Sequence, residues 1–101
     1  MIKIAKSDLH SHLKARMSQR GITIEEIEAG LNGGREATDA KPGTLGKLFV
    51  FEYNGIWEGK LFEEKEVSVY YKFINDTMVL LTAKARYGKF TTEGEEDETG
   101  I

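Results

Sequence analysis

Apolar positions change their spacing about a third of the way along the chain, and that change divides the sequence into a helical and an extended part. Leu9, Leu13 and Met17 recur every four residues, the interval that keeps side chains on one stripe of a helix. The spacing predicts a first helix over residues 7–20, with Ser7 or Asp8 as the cap whose side chain accepts from a free backbone N–H. Gly21 fits the left-handed position that ends such a helix. Thr23-Ile24-Glu25-Glu26 has the form of a capping box opening a second helix, whose buried face is Ile24, Ile27 and Leu31 and whose end is Asn32-Gly33-Gly34. Two helices joined by so few residues must pack as a compact hairpin.

From residue 35 onward the period is two. Arg35–Asp39 is a weak candidate strand, residues 41–46 (Lys-Pro-Gly-Thr-Leu-Gly) are a loop by composition, and Lys47–Tyr53 is strongly strand-like. Asn54-Gly55 is a common two-residue hairpin signal, which leaves residues 56–64 without a clear assignment. Glu66–Phe73 and Thr77–Tyr87 are clear strands. Val67, Val69, Tyr71 and Phe73 form one face, and Val79, Leu81, Ala83 and Ala85 another. A two-residue turn at Asn75-Asp76 would set Val69 beside Thr82 and mix core with surface, so the parity predicts an odd loop at 74–76. Lys84 would then lie across from Glu66, and Arg86 across from Glu64. The expected fold is α+β: an N-terminal helical hairpin on one face of an antiparallel sheet of three to four strands.

Composition fits one domain over residues 1–90, since 101 residues with 40% hydrophobic content support a single modest core. Residues 91–101 hold five of the seventeen acids and no base, and read as an acidic disordered tail; the alternative is a polyanion mimic lying across a basic surface. Without that tail the formal charge of −3 becomes about +2. There is no cysteine, which excludes disulfides and thiolate chemistry and makes the cytoplasm the expected compartment. No apolar run is long enough for a membrane helix.

Three constellations carry candidate chemistry. His12, Arg16 and Arg20 repeat every four residues beside the apolar stripe. There they suit either proton transfer next to phosphate-stabilising cations or ion pairing with Glu26, Glu28 or a sheet carboxylate. Thr82, Lys84 and Arg86 share a strand face with Ser68 and Tyr70, an array suited to a phosphate backbone with a base stacked on the tyrosine. Exposed cross-strand ion pairs would explain the same residues. The glycine-rich loop before Lys47 is one residue short of a phosphate-binding loop and precedes a strand, which excludes that kind of nucleotide site and leaves Lys41 and Lys47 as looser phosphate contacts. His10 and His12, two apart on a helix, cannot share a metal ion, so neither metal nor cofactor is expected. No serine-hydrolase elbow is present.

The run His12-x-x-x-Arg16-Met-x-x-Arg20-Gly-Ile-Thr23, with Glu66-Val-Ser-Val-Tyr-Tyr-Lys and Leu81-Thr-Ala-Lys-Ala-Arg-Tyr-Gly, resembles a bacterial domain-of-unknown-function family, number 4258, over about residues 8–90. That family is distantly similar to RelE- and BrnT-like toxins. The resemblance implies a RelE-like fold and a metal-independent endoribonuclease acting on RNA, with an antitoxin or another protein as its partner. Within it His12 would be base or acid, with Arg16 and Arg86 as phosphate clamps. Arg20, Lys84, Tyr70 and Tyr87 would contact substrate. A non-catalytic module binding nucleic acid or protein through the Tyr70/Thr82/Lys84/Arg86 face is the alternative.

Overall fold

A computed structural model describes residues 1–90; the tail assigned from composition to 91–101 lies outside the described residues. Two helices, α1 (Ser11–Arg20) and α2 (Ile24–Gly33), precede four strands, β1 (Arg35–Glu36), β2 (Leu45–Trp57), β3 (Lys60–Ile74) and β4 (Thr77–Gly88). The strands form one antiparallel sheet in sequence order. Both helices pack on the same sheet face, α1 over β4 and α2 over β2 and β3, so the fold is the expected α+β. Between them lie Leu13, Ile27, Val67, Val69 and Ala83, each at most 1% exposed. Burying one such aliphatic side chain contributes about 1.5–3 kcal/mol.

Helix α1 begins later than its apolar period suggests. Lys6–Asp8 is a single 3-10 turn, and the cap of α1 is His10, whose Nδ1 accepts from the Leu13 N–H at 3.3 Å. Asp8 turns back instead and accepts from the Ala5 N–H. Gly21, at φ 69°, ends α1, and the Thr23/Glu26 capping box opens α2, both as read from the sequence. The N-terminal residues run beside α2, where Asn32 exchanges hydrogen bonds with Ile2 and Glu28 accepts from the Ile4 N–H.

Besides a β1 that stops at Glu36, short of Asp39, and a β2 that begins at Leu45, inside the expected loop, the strands depart from the sequence reading at two turns. Asn54-Gly55 is no hairpin turn: β2 continues through it with a bulge between Glu52 and Gly55, and the chain reverses at Glu58-Gly59. Both turn residues have positive φ, the geometry that matches the twist of a two-residue hairpin. Asn54, at φ 44°, spends its left-handed tendency on the bulge. The second departure is the β3–β4 connection, which is the two-residue turn Asn75-Asp76, not an odd loop. Parity is corrected further on, where Tyr70 pairs with Thr82 and Tyr71 with Leu80, leaving Leu81 as an extra residue. Val69 thus faces Ala83 and Val67 faces Ala85 as apolar partners, but on the turn side of the extra residue the faces exchange: Leu80, expected on the outer face, is buried in the core, and Leu81, expected in the core, lines the outer face. The same slip sets Lys84 across from Ser68 and Arg86 across from Glu66, two residues from the expected partners.

Candidate functional site

β4 is the last strand of the sheet, and α1 is fastened to it by polar contacts. His10 Nε2 donates to the Leu80 carbonyl at 2.9 Å, and since its Nδ1 accepts from Leu13 the ring is the neutral Nε2–H tautomer. Arg20 donates to the Ala83 carbonyl at 2.6 Å, and the Tyr87 hydroxyl donates to the Arg20 carbonyl at 2.7 Å. The His10 and Arg20 side-chain bonds occupy carbonyls on either side of the extra Leu81. Among the described residues Arg16 hydrogen-bonds Gln19, at 2.9 Å, and His12 is exposed with its ring 6.0 Å from that of His10. The two rings lie side by side because His10 caps the helix from outside it, which the helical-wheel argument did not foresee. Neither arginine takes the glutamate partners that the sequence offered. Glu26 binds Lys65 and Glu28 binds the Ile4 amide.

Tyr87 belongs to the helix side of the sheet. Its ring stacks on Trp57 at 4.9 Å and meets the edge of Tyr53 at 5.2 Å, while Lys65 Nζ stands 5.6 Å from its centroid. Burial, with Tyr53, Glu26 and Glu58 nearby, pushes its hydroxyl up to about 12. Lys65, only 3% exposed, also donates to Glu26 at 2.8 Å and to the Gly21 carbonyl. Tyr87 and Lys65 therefore hold the helix–helix turn on the sheet.

The opposite sheet face carries a different arrangement. Residues 37–44 cross it, anchored by the Ala37 N–H on the Gly46 carbonyl and by a turn from Lys41 to Thr44 with Pro42 and positive-φ Gly43 in the middle. The loop brings Asp39 onto the sheet, where it accepts from the Tyr70 hydroxyl at 2.7 Å and from Lys84 Nζ at 3.3 Å. Lys84 Nζ stands 5.1 Å from the centroid of the Tyr70 ring. Gly46, paired with Tyr70, leaves room for that ring, since a Cβ there would approach it to 3.0 Å. The Tyr70 and Lys84 hydrogen bonds hold the Asp39 carboxyl below its usual range, and Asp39 in turn raises Lys84. Burial, then the Asp39 carboxylate, raises the Tyr70 hydroxyl. Beside this trio Arg86 Nε donates to Glu66 at 2.9 Å; Glu66 is 7% exposed. Arg35, Ser68 and Leu48 complete an open cavity of about 440 Å³.

Of the residues singled out in the sequence, the structure brings together Tyr70, Lys84 and Arg86 on this outer face. His12, Arg16, Arg20 and Tyr87 belong to the helix side. Tyr70 is 7% exposed, so it forms a wall of the cavity and offers no open ring face for stacking. Arg35, Asp39, Glu66 and Lys65 were missed as site or structural residues. Arg35 and Asp39 had no signal beyond a candidate strand over 35–39, of which only Arg35–Glu36 is strand while Asp39 lies in the following loop, whereas Glu66 shares the alternation that placed Tyr70. Among the described residues no group of His, Asp or Glu is arranged to hold a metal ion, and no helix is long and apolar enough to cross a membrane. Fold and cavity together define a small α+β protein with a polar, cation-bearing groove on the sheet face its helices leave open. Comparisons with family models, curated proteins and solved structures found no match.

Proposed function

We propose that the protein is a non-catalytic module that binds single-stranded RNA by its phosphates, through the groove lined by Arg35, Lys84 and Arg86. The observation that carries this reading is the convergence of three cations from the two outer strands, Arg35 from β1 and Lys84 and Arg86 from β4, on one open cavity. Asp39 and Glu66 partner two of them, which orients the donors and limits the net positive charge. Affinity from such a site is modest and salt-dependent. Binding is favoured over the cleavage implied by the toxin resemblance because the proposed proton carrier, His12, is on α1 at the helix side, whereas Arg86 lines the groove.

Titration of a labelled short single-stranded RNA, followed by anisotropy across a range of salt concentrations, tests the reading. Three phosphate contacts give a log–log slope of about −2 on a single strand. Arg35→Glu with Lys84→Glu removes most of the binding, and the RNA recovered afterwards is intact. Binding indifferent to salt and to both substitutions would overturn the reading. Shortened RNA would restore the catalytic one.

A further inference from the structure

The groove does not end at Lys84. Asp39, Tyr70 and Lys84 form a divide, and on its far side lies a second hollow of about 370 Å³ bounded by Lys41, Thr44, Leu81 and Thr82. The two sides differ in chemistry. The first has Arg35, Arg86, Glu66 and Ser68 in its walls, whereas the surface of the second is mostly carbon. Lys84 stands between them with its side chain 55% exposed, so its ammonium is within reach of a ligand lying across the divide. The far hollow owes part of its wall to Leu81, the residue that the β3–β4 pairing leaves over.

A nucleotide has the same two-part character, an anionic phosphate and a flat ring whose faces are apolar and whose edges are polar. We propose that the hollow bounded by Leu81, Thr82 and Thr44 takes a nucleobase of the strand whose adjoining phosphate is held by Arg35, Lys84 and Arg86. This inference rests on the nucleic-acid reading given above and assigns it a base-contacting subsite. Thr82 supplies a hydroxyl that both donates and accepts at a base edge. The Thr44 hydroxyl donates to the Lys41 carbonyl at 2.6 Å and keeps its lone pairs for an amino group. Base contact thus falls to the Leu81 wall, in place of the buried Tyr70 ring.

Binding of an intact RNA strand compared with a fully abasic strand of the same length and charge tests the subsite. The wild-type protein is expected to bind the intact strand about tenfold more tightly, the low end of what one base contact contributes. Leu81→Trp, which fills the hollow, abolishes that difference and leaves the salt slope unchanged. Thr82→Phe does the same from the neighbouring position and serves if the first variant does not fold, as judged by circular dichroism. Equal affinity for both strands in the wild type would overturn the subsite and leave phosphate binding standing. Absence of binding to either strand would overturn both.

Discussion

Lys65 and Glu26 meet at 2.8 Å beneath the turn between the helices, and Lys65 is 3% exposed. The lysine crosses from β3 to the start of α2, donates also to the Gly21 carbonyl and lies against the Tyr53 and Tyr87 rings. One side chain thereby fixes the end of α1, the capping box of α2 and the middle of the sheet relative to each other. Breaking a buried pair leaves the remaining charge short of a partner, which costs about 3–5 kcal/mol. Lys65→Met should fall at the lower end, because Glu26 keeps 18% of its side-chain surface in water and retains its bond from the Thr23 N–H. Urea denaturation should show a loss of about 3 kcal/mol. Lys65→Met with Glu26→Gln should be more stable than Lys65→Met alone.

Gly21 tests the aromatic cluster from the other side. Its φ is +69°, and a Cβ there would lie 2.6 Å from the Trp57 ring and 3.0 Å from the Tyr87 hydroxyl. Gly59 also has positive φ, 82°, with nothing within 4 Å. Left-handed strain alone costs about 1–2 kcal/mol for an L-residue. Gly59→Ala should lose about that much, and Gly21→Ala distinctly more because the Trp57 ring must shift as well. Thermal melts of the two variants side by side provide the measurement.

Tyr87 predicts the alkaline behaviour. Its folded pKa is about 12 against an ordinary value of 10, so between those values the unfolded chain releases a proton that the folded one retains. Its contribution is therefore complete below pH 10 and declines as pH rises towards 12. Denaturation midpoints should fall over that range, and Tyr87→Phe should flatten the part of the fall that this hydroxyl causes. At neutral pH the same variant should cost about 1 kcal/mol, for the lost bond to the Arg20 carbonyl.

Asp39 should act on binding in the opposite direction to the cations around it. It holds Lys84 and Tyr70 but adds negative charge to the groove. Asp39→Asn should tighten RNA several-fold at low salt, with the gain shrinking as salt rises. Titrations of wild type and variant at two ionic strengths would show it. A weaker complex would mean that orientation of Lys84 matters more than the charge removed.

How far the sequence carried these conclusions depends on the range of the interactions involved. The Thr23/Glu26 box, the Gly21 stop and the stripe of Leu9, Leu13 and Met17 are local, and each reads directly from a few neighbours. The strand faces followed from alternation except at Leu80 and Leu81, which the extra residue in β4 exchanges. Turn position did not, because Asn54-Gly55 and Glu58-Gly59 are both capable of a left-handed pair and only the β2–β3 register decides between them. Arg20 looked like a substrate contact and proved to bind the Ala83 carbonyl, 63 residues away in sequence. Asp39 had no local signature, since its partners Tyr70 and Lys84 arrive from two other strands.

Leu81 has a consequence for how this chain tolerates changes of length. Its neighbours Leu80 and Thr82 pair with the adjacent residues Tyr71 and Tyr70, so the ladder already closes without it. Deleting that one residue would preserve every cross-strand partner on both sides and straighten β4, taking away part of the hollow wall. A deletion at Ala83 would instead close the same gap only by moving Thr82 into the fully buried place opposite Val69, which puts a hydroxyl in the core. The hairpin thus contains one position that behaves like a spacer in a reading frame, and a lineage could lose or regain the hollow there by a single codon while its fold stayed in phase.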